Sequence, residues 1–253
     1  MSDIRKIARC LVTGTIYDGV IEGSDFVYAD GRVAVDHVRV LAPCVPTKII
    51  GVGRNYADHA AEMNNPLPTE PLLFLKPPSA LNHHDGDVIY PVQSRQVDYE
   101  GELAVVVGVR CKNVQRVDAA SVILGYTMCN DFTARDLQRT DNQWARAKGF
   151  DGFAPLGPCI VSGIDPSALR LQTFLNGSLK QEARTNTLIF SIPTLIEYIS
   201  AAFTLEPGDV VTTGTPAGVG AVQPGDVVEV RVDEIGVLRN RIVAAIARET
   251  RPR

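Results

Sequence analysis

The sequence predicts an α+β protein that is mainly β, and three observations carry that reading. Short apolar and β-branched runs bounded by Gly, Pro, Asn and Asp outnumber segments of helical period. One run, Leu103-Ala104-Val105-Val106-Val107, has no polar face, as expected of a strand covered on both sides of a sheet. Strands and helices also lack the regular alternation that a doubly wound sheet requires.

Along the chain, Cys10–Tyr17, Asp25–Tyr28 and Val33–Val35 read as short strands cut by Asp18-Gly19, Glu22-Gly23 and Asp30-Gly31 turns, and Pro43 and Pro46 close the segment. Residues 1–46 therefore form a small N-terminal β module, with 47–253 as the larger unit. Lys48–Gly53 is an apolar strand ending in Gly-x-Gly. Gly51 and Gly53 serve either a close backbone approach or a plain strand-end turn. Tyr56, Ala60 and Met63 at helical spacing predict a helix over 57–63. Leu72–Leu75, Asp87–Tyr90, Tyr99–Val109 and Val122–Cys129 read as strands, and Thr133-x-x-Asp136 matches a capping box opening a helix. Leu169–Leu175 followed by Asn176-Gly177 predicts a hairpin. Ile192, Leu195, Ile196 and Ile199 make one stripe of a helix over 191–203, ended before Pro207. Two Pro-Gly-Asp turns, at 207–209 and 224–226, launch the strands Val210–Thr213 and Val227–Val232.

Composition narrows the function classes. The chain has 253 residues, enough for a full core, with 45% hydrophobic and 21% charged residues, as in ordinary soluble enzymes. A net charge of −4 with scattered Lys and Arg argues against nucleic-acid and anionic-membrane partners. Five dispersed cysteines without a CxxC pair indicate neither a zinc site nor a disulfide framework. No signal peptide or membrane-length apolar run is read, so a cytoplasmic location is expected.

The chemistry starts at Glu100-Gly101-Glu102. Residues two apart in a strand face the same side, so both carboxylates project together, ~7 Å apart along the chain. Two like charges at the mouth of a buried strand need neutralising, and a divalent cation is the simplest means. The alternative is a pair of solvated glutamates at a strand end. Asp131, where the Leu124–Cys129 strand turns toward a helix, offers a third oxygen ligand or a helix N-cap. Three carboxylates without sulfur suit a hard ion such as Mg²⁺ or Mn²⁺. His59 and Glu62, at i, i+3 on one helix face, make either a modest ion pair or an imidazole made more basic by its carboxylate. The Thr213–Gly220 loop is glycine-rich but lacks a P-loop lysine. It is a structural turn, or a set of donors in which Thr215 and backbone N–H groups hold a carboxylate. His83-His84 reads as an exposed turn, and His37 has no evident role.

Four ordered motifs resemble the fumarylacetoacetate hydrolase family. They are Asp98-Tyr99-Glu100-Gly101-Glu102-Leu103-Ala104-Val105-Val106, Gly125 to Asp136 (GYTMCNDFTARD), Lys148-Gly149-Phe150-Asp151, and Thr213 to Gly220 (TGTPAGVG). The resemblance runs from about Lys48 to the C-terminus, and residues 1–46 resemble the short β extension of many bacterial members. It implies a mixed β-sandwich roll, usually a homodimer, with Mg²⁺ or Mn²⁺ held by Glu100, Glu102 and Asp131. It also implies Lys148 as a cation against an enolate or carbonyl oxygen, and His59–Glu62 as a water-activating pair on a lid. Gln138 matches a substrate-contacting position, Arg135 a brace for the carboxylates or their loop, and Arg54 joins Thr215 among the substrate-binding candidates. The expected reaction is hydrolysis of a C–C bond in a 2,4-dioxo acid of the acylpyruvate type, through a metal-stabilised enolate. Decarboxylation of an oxaloacetate-like 2-oxo acid and isomerisation of a 2-hydroxyhepta-2,4-diene-1,7-dioate use the same residues. A non-catalytic, metal-dependent small-acid binding protein is the reading from another class. Specificity is expected in residues 57–70 and 139–153.

Overall fold

The computed structural model describes residues 4–245; the end of the 47–253 unit, from 246 on, lies outside them. The protein is mainly β, built on a large sheet, a five-stranded sheet and a three-stranded sheet. The large sheet runs from the N-terminal hairpins through Arg5–Val12, Ala154–Ser162, Ile123–Asn130, Gly101–Val107, Val210–Thr212 and Ile49–Gly53 to Leu72–Lys76. Arg5–Val12 pairs antiparallel with Ala154–Ser162, so the strands of residues 1–46 extend this sheet.

Gly101–Val107 lies near the middle and is buried along its whole length. Its odd residues Leu103, Val105 and Val107 pack into one core with Leu171, Val230 and Val232 of the five-stranded sheet and with Leu195, Ile196 and Ile199. Its even residues Ala104 and Val106 pack into a second core with Ile49, Cys129, Leu156 and Val210. Burial of both faces explains the missing polar face, and each such Val or Leu contributes ~1.5–3 kcal/mol. The glycine between the two glutamates faces the first core. A Cβ there would lie 2.0 Å from Thr173 Oγ1, so the five-stranded sheet packs this closely only over glycine. Gly51 is also a close approach rather than a turn, because the Phe74 ring lies 2.1 Å from where its Cβ would be.

The helix of the Ile-Leu stripe spans Ile192–Ala202 and is capped by Ser191. The Asn176-Gly177 hairpin forms, with both residues at positive φ. The expected capping box does not. Thr133 sits in the short strand Thr133–Ala134, its hydroxyl donates to the Asp131 carbonyl at 2.9 Å, and the helix Arg135–Thr140 starts behind it without a side-chain cap. Asp136 instead accepts from Ser94 Oγ (2.6 Å) and Arg95 N (2.9 Å), because tertiary partners outcompete the local cap. His83-His84 is not an exposed turn either. His83 ends a strand paired parallel to Leu156, and both imidazoles are half-buried, with His84 Nδ1 accepting from Arg239 N.

The parallel pair Ile49–Gly53 and Val210–Thr212 is fastened at its start by Asp209, which has no solvent exposure. Its Oδ1 accepts from Thr47 N, Thr47 Oγ1 and Lys48 N at 2.7–3.1 Å, and its Oδ2 accepts from Glu206 N (2.8 Å) and the Lys48 ammonium. Burial alone raises this carboxyl, but the bonds from Lys48, Glu206 and Thr47 outweigh it and hold it below its ordinary range. Asp209→Ala removes the acceptor from several donors at once and should cost ~2–4 kcal/mol, read as a lower urea midpoint at unchanged slope. A carboxyl depressed on folding stabilises above its unfolded value and loses that contribution as pH falls through the folded one. The deficit of Asp209→Ala relative to the parent should therefore be constant above pH ~4 and shrink below it.

Candidate active site

Strand register brings the carboxylates together. Gly101 pairs with Asn130, Asp131 N donates to the Glu100 carbonyl at 2.8 Å, and Asn130 Oδ1 accepts from Glu100 N at 2.9 Å. One oxygen each from Glu100, Glu102 and Asp131 then lie within 4.8 Å of one another, all three residues buried. Lys148 reaches them from the short helix Ala145–Gly149, which packs so closely on the Leu72–Lys76 strand that a Cβ on Gly149 would meet Pro77 at 2.9 Å. Its Nζ donates to Glu100 Oε2 (2.7 Å) and Asp131 Oδ2 (2.5 Å) and lies 4.8 Å from the Phe74 ring centroid. Arg135 donates from Nη2 to Glu100 Oε1 (2.5 Å), from Nε to Asp98 Oδ2 (2.8 Å) and from Nη1 to Gln138 Oε1 (2.7 Å).

These carboxylates and their cations define a cavity of about 60 Å³. Arg54, His59, Arg135, Gln138, Lys148 and Thr215 line it with the three acids, and Val52, Met63, Phe74 and Trp144 supply the apolar wall. The two segments expected to set specificity thus contribute His59, Met63 and Asn65 from one side and Trp144 and Lys148 from the other. His59 Nδ1 lies 3.2 Å from Glu62 Oε2, and Glu62 Oε1 accepts from Gly218 N at 3.0 Å, so the pair rests against the Thr213–Gly220 loop. Thr215 lines the cavity, but its hydroxyl proton goes to the Gly101 carbonyl (2.9 Å), while its oxygen accepts from Gln181 Nε2 (2.7 Å).

Charge is distributed unevenly over the acids. Burial raises Glu100, yet the Lys148 ammonium and the Arg135 guanidinium outweigh it and bring the carboxyl down to about 2. Glu102 is pushed well above the usual carboxylate range by burial and by the neighbouring Asp131 and Glu100 charges, against which Lys148 and the Gly214 N–H are too little. Among the described residues its hydrogen-bond partner is that N–H, at 2.8 Å, and no cation touches it. A buried carboxylate flanked by two others and lacking a cation of its own is the donor that a hard dication satisfies. The all-oxygen set of Glu100, Glu102 and Asp131 therefore fits Mg²⁺ or Mn²⁺.

Two charged residues of the cluster are not read from the sequence as ligand or catalyst. Lys76 has no side-chain exposure, and its ammonium contacts Asp131 Oδ1. Its one sequence signal is its position at the end of Leu72-Leu73-Phe74-Leu75, an apolar run that leaves a lysine no obvious route to water. Asp98, which pairs with Arg135, belongs to the Glu100 motif but has no periodic feature marking it as buried.

Comparison with known proteins agrees with this geometry. The profile described as fumarylacetoacetate (FAA) hydrolase C-terminal matches residues 48–243. Mitochondrial oxaloacetate tautomerase FAHD2B of Bos taurus is 42% identical over 219 residues, covering 81% of this chain and 70% of that protein. The crystal structure of 5-carboxymethyl-2-hydroxymuconate delta-isomerase from Mycobacterium smegmatis superposes with a TM-score of 0.89 at 42% identity, covering 95% of this chain and 99% of that one. Maleylpyruvate hydrolase from Sphingobium sp. SYK-6, in complex with manganese(II) and pyruvate, superposes with a TM-score of 0.82 at 29% identity, covering 95% and 100%. With the matching profile spanning most of its length and the acids, Lys148 and His59 in one cavity, the chain belongs to the fumarylacetoacetate hydrolase family.

Proposed function

We propose that this protein is a Mg²⁺- or Mn²⁺-dependent enzyme that hydrolyses a C–C bond of a short 2,4-dioxo acid, with the enolate of a 2-oxo acid as the leaving group. The observation that carries this reading is that His59, with Glu62 on its Nδ1, lines the same small cavity as the three buried acids and Lys148. Bound by Glu100, Glu102 and Asp131, the ion supplies Lewis acidity to the carboxylate and 2-oxo oxygens of the substrate.

The remaining work falls to side chains. Glu62 orients the His59 imidazole through Nδ1, which leaves Nε2 to take a proton from water as its oxygen attacks the distal C4 carbonyl. The tetrahedral carbon then expels C3, and the electron pair of the C3–C4 bond moves onto the 2-oxo oxygen as the enolate. The Lys148 ammonium, held in the cavity by Glu100 and Asp131, is the cation available to that oxygen. The imidazolium returns its proton to C3, and the products are a 2-oxo acid and a carboxylic acid. Arg54 and Gln138 line the same space as donors for the substrate's anionic end, and the walls of Met63, Phe74 and Trp144 suit its apolar part. The pyruvate in the maleylpyruvate hydrolase structure is what such an enolate becomes on protonation.

A second reading, tautomerisation of an oxaloacetate-like acid, is favoured by the small volume of the cavity and by the identity to an oxaloacetate tautomerase. It needs His59 only to move the C3 proton and no attacking water. Acetylpyruvate and oxaloacetate, each incubated with metal-loaded protein, separate the two: pyruvate plus acetate marks hydrolysis, and accelerated enol–keto exchange without cleavage marks tautomerisation. Absence of turnover on both would overturn these two readings and favour the small-acid binding protein.

Stripping the protein with a chelator should abolish turnover, and added Mn²⁺ should restore it; full activity after stripping would rule out a metal role. His59→Ala should lower hydrolysis by about 10²–10⁴-fold, the usual loss on removing a general base. Its Mn²⁺ affinity should stay at the parent's level by calorimetry, and an unchanged hydrolytic rate would exclude His59 from the mechanism.

A further inference from the structure

Asp131 is held by two lysines, one on each oxygen. Lys148 contacts Oδ2 at 2.5 Å and faces the cavity. Lys76 contacts Oδ1, carries a longer 3.4 Å bond to the Phe132 carbonyl, and is sealed from solvent at the end of the Leu72–Lys76 strand. A single carboxylate needs one cation, and taking a second ammonium out of water is costly. Lys76 does not line the cavity, so it cannot act on a substrate directly. Whatever it does passes through Asp131.

We propose that Lys76 is a positioning residue that holds Asp131 Oδ1 away from the cavity and so leaves Oδ2, on the cavity side with Lys148, as the single oxygen toward the metal. This inference rests on the reading that Glu100, Glu102 and Asp131 hold the ion. Mg²⁺ and Mn²⁺ favour a near-octahedral oxygen shell. Three carboxylates binding through one oxygen each leave half of that shell open, enough for both oxygens of a 2-oxo acid and a water. An Asp131 free to bind through both oxygens would close one of those positions. The Lys76 charge also opposes the ion and draws electron density from its ligand, so the ion binds less tightly but stays more electrophilic. Lys76 thus lowers metal affinity and preserves the open half of the shell. A residue needed only for folding would do neither.

The test is titration of metal-stripped parent and Lys76→Met protein with Mn²⁺, by calorimetry and by water-proton relaxation enhancement, which reports water on the bound ion. The methionine variant should bind Mn²⁺ about tenfold or more tightly, at the effective dielectric typical of such sites. It should show a smaller relaxation enhancement, and its Mn²⁺ complex should bind oxalate, a two-oxygen mimic of the 2-oxo acid end, about tenfold more weakly. Lys76→Arg, which keeps the cation, should behave as the parent. If the methionine variant does not fold, as judged by circular dichroism, Lys76→Gln replaces it. That variant keeps an N–H donor to Oδ1 without the charge, and should raise Mn²⁺ affinity at the parent's relaxation enhancement. Mn²⁺ affinity that is unchanged or weaker in the neutral variant overturns the role of Lys76. A parent that takes up no Mn²⁺ overturns the metal reading itself, and the two failures are therefore distinct.

Discussion

The constraint behind this structure is the burial of four carboxylates, Asp98, Glu100, Glu102 and Asp131, in one place. Uncompensated, such a cluster would neutralise by protonation or unfold its surroundings. Arg135, Lys148 and Lys76 answer it, each itself buried and each hydrogen-bonded to at least one of the acids. The compensation is incomplete by design of the geometry. Glu100 and Asp131 are paired with cations, whereas Glu102 faces a backbone N–H and its two acidic neighbours. The imbalance falls on the residue where a dication is most favourable.

The fold exists around that cluster in a direct physical sense. The central strand must pack on both faces to be dry enough for the electrostatics to matter. One face presses on the five-stranded sheet through Gly101, and the other opens at its end into the site through Glu100 and Glu102. The glycine that looks like a spacer between two glutamates is what lets the second sheet approach within contact of their backbone. Gly51 does the same for Phe74, which carries the apolar wall and lies beneath the Lys148 ammonium. The three acids and Phe74 are thus set by strand register and sheet packing, whereas Lys148 comes from the short helix Ala145–Gly149 and Met63 and Trp144 from the segments beside the two short helices. The rigidity of the acids suits a site that must hold charge at fixed distances. The His59–Glu62 pair likewise rests on a short helix, fastened to the opposite loop through the Gly218 N–H.

Much of this was legible in the sequence. The two-sided apolar run announced the central strand, period-two geometry put both glutamates on one side, and the Ile-Leu stripe marked the long helix. The acids, Lys148 and the His–Glu spacing were recognisable because their motifs are contiguous. Lys76 was not, since a buried lysine at a strand end looks the same in sequence as one that reaches water. The capping box misled for the opposite reason. Its pattern is local, but Ser94 and Arg95 lie far away in the chain and supplied Asp136 with better partners.

By itself the sequence determined the β-rich class, several of the strands and the carboxylates offered as oxygen donors, because periodicity and residue chemistry are properties of short stretches. Only the tertiary structure decided that Asp131 has a lysine on each oxygen, that Thr215 has already given away its hydroxyl proton, and that Glu102 has no cation among the described residues. Those outcomes depend on side chains tens of residues apart meeting at hydrogen-bond distance, and on how burial divides charge among them. Neither is encoded in any single segment.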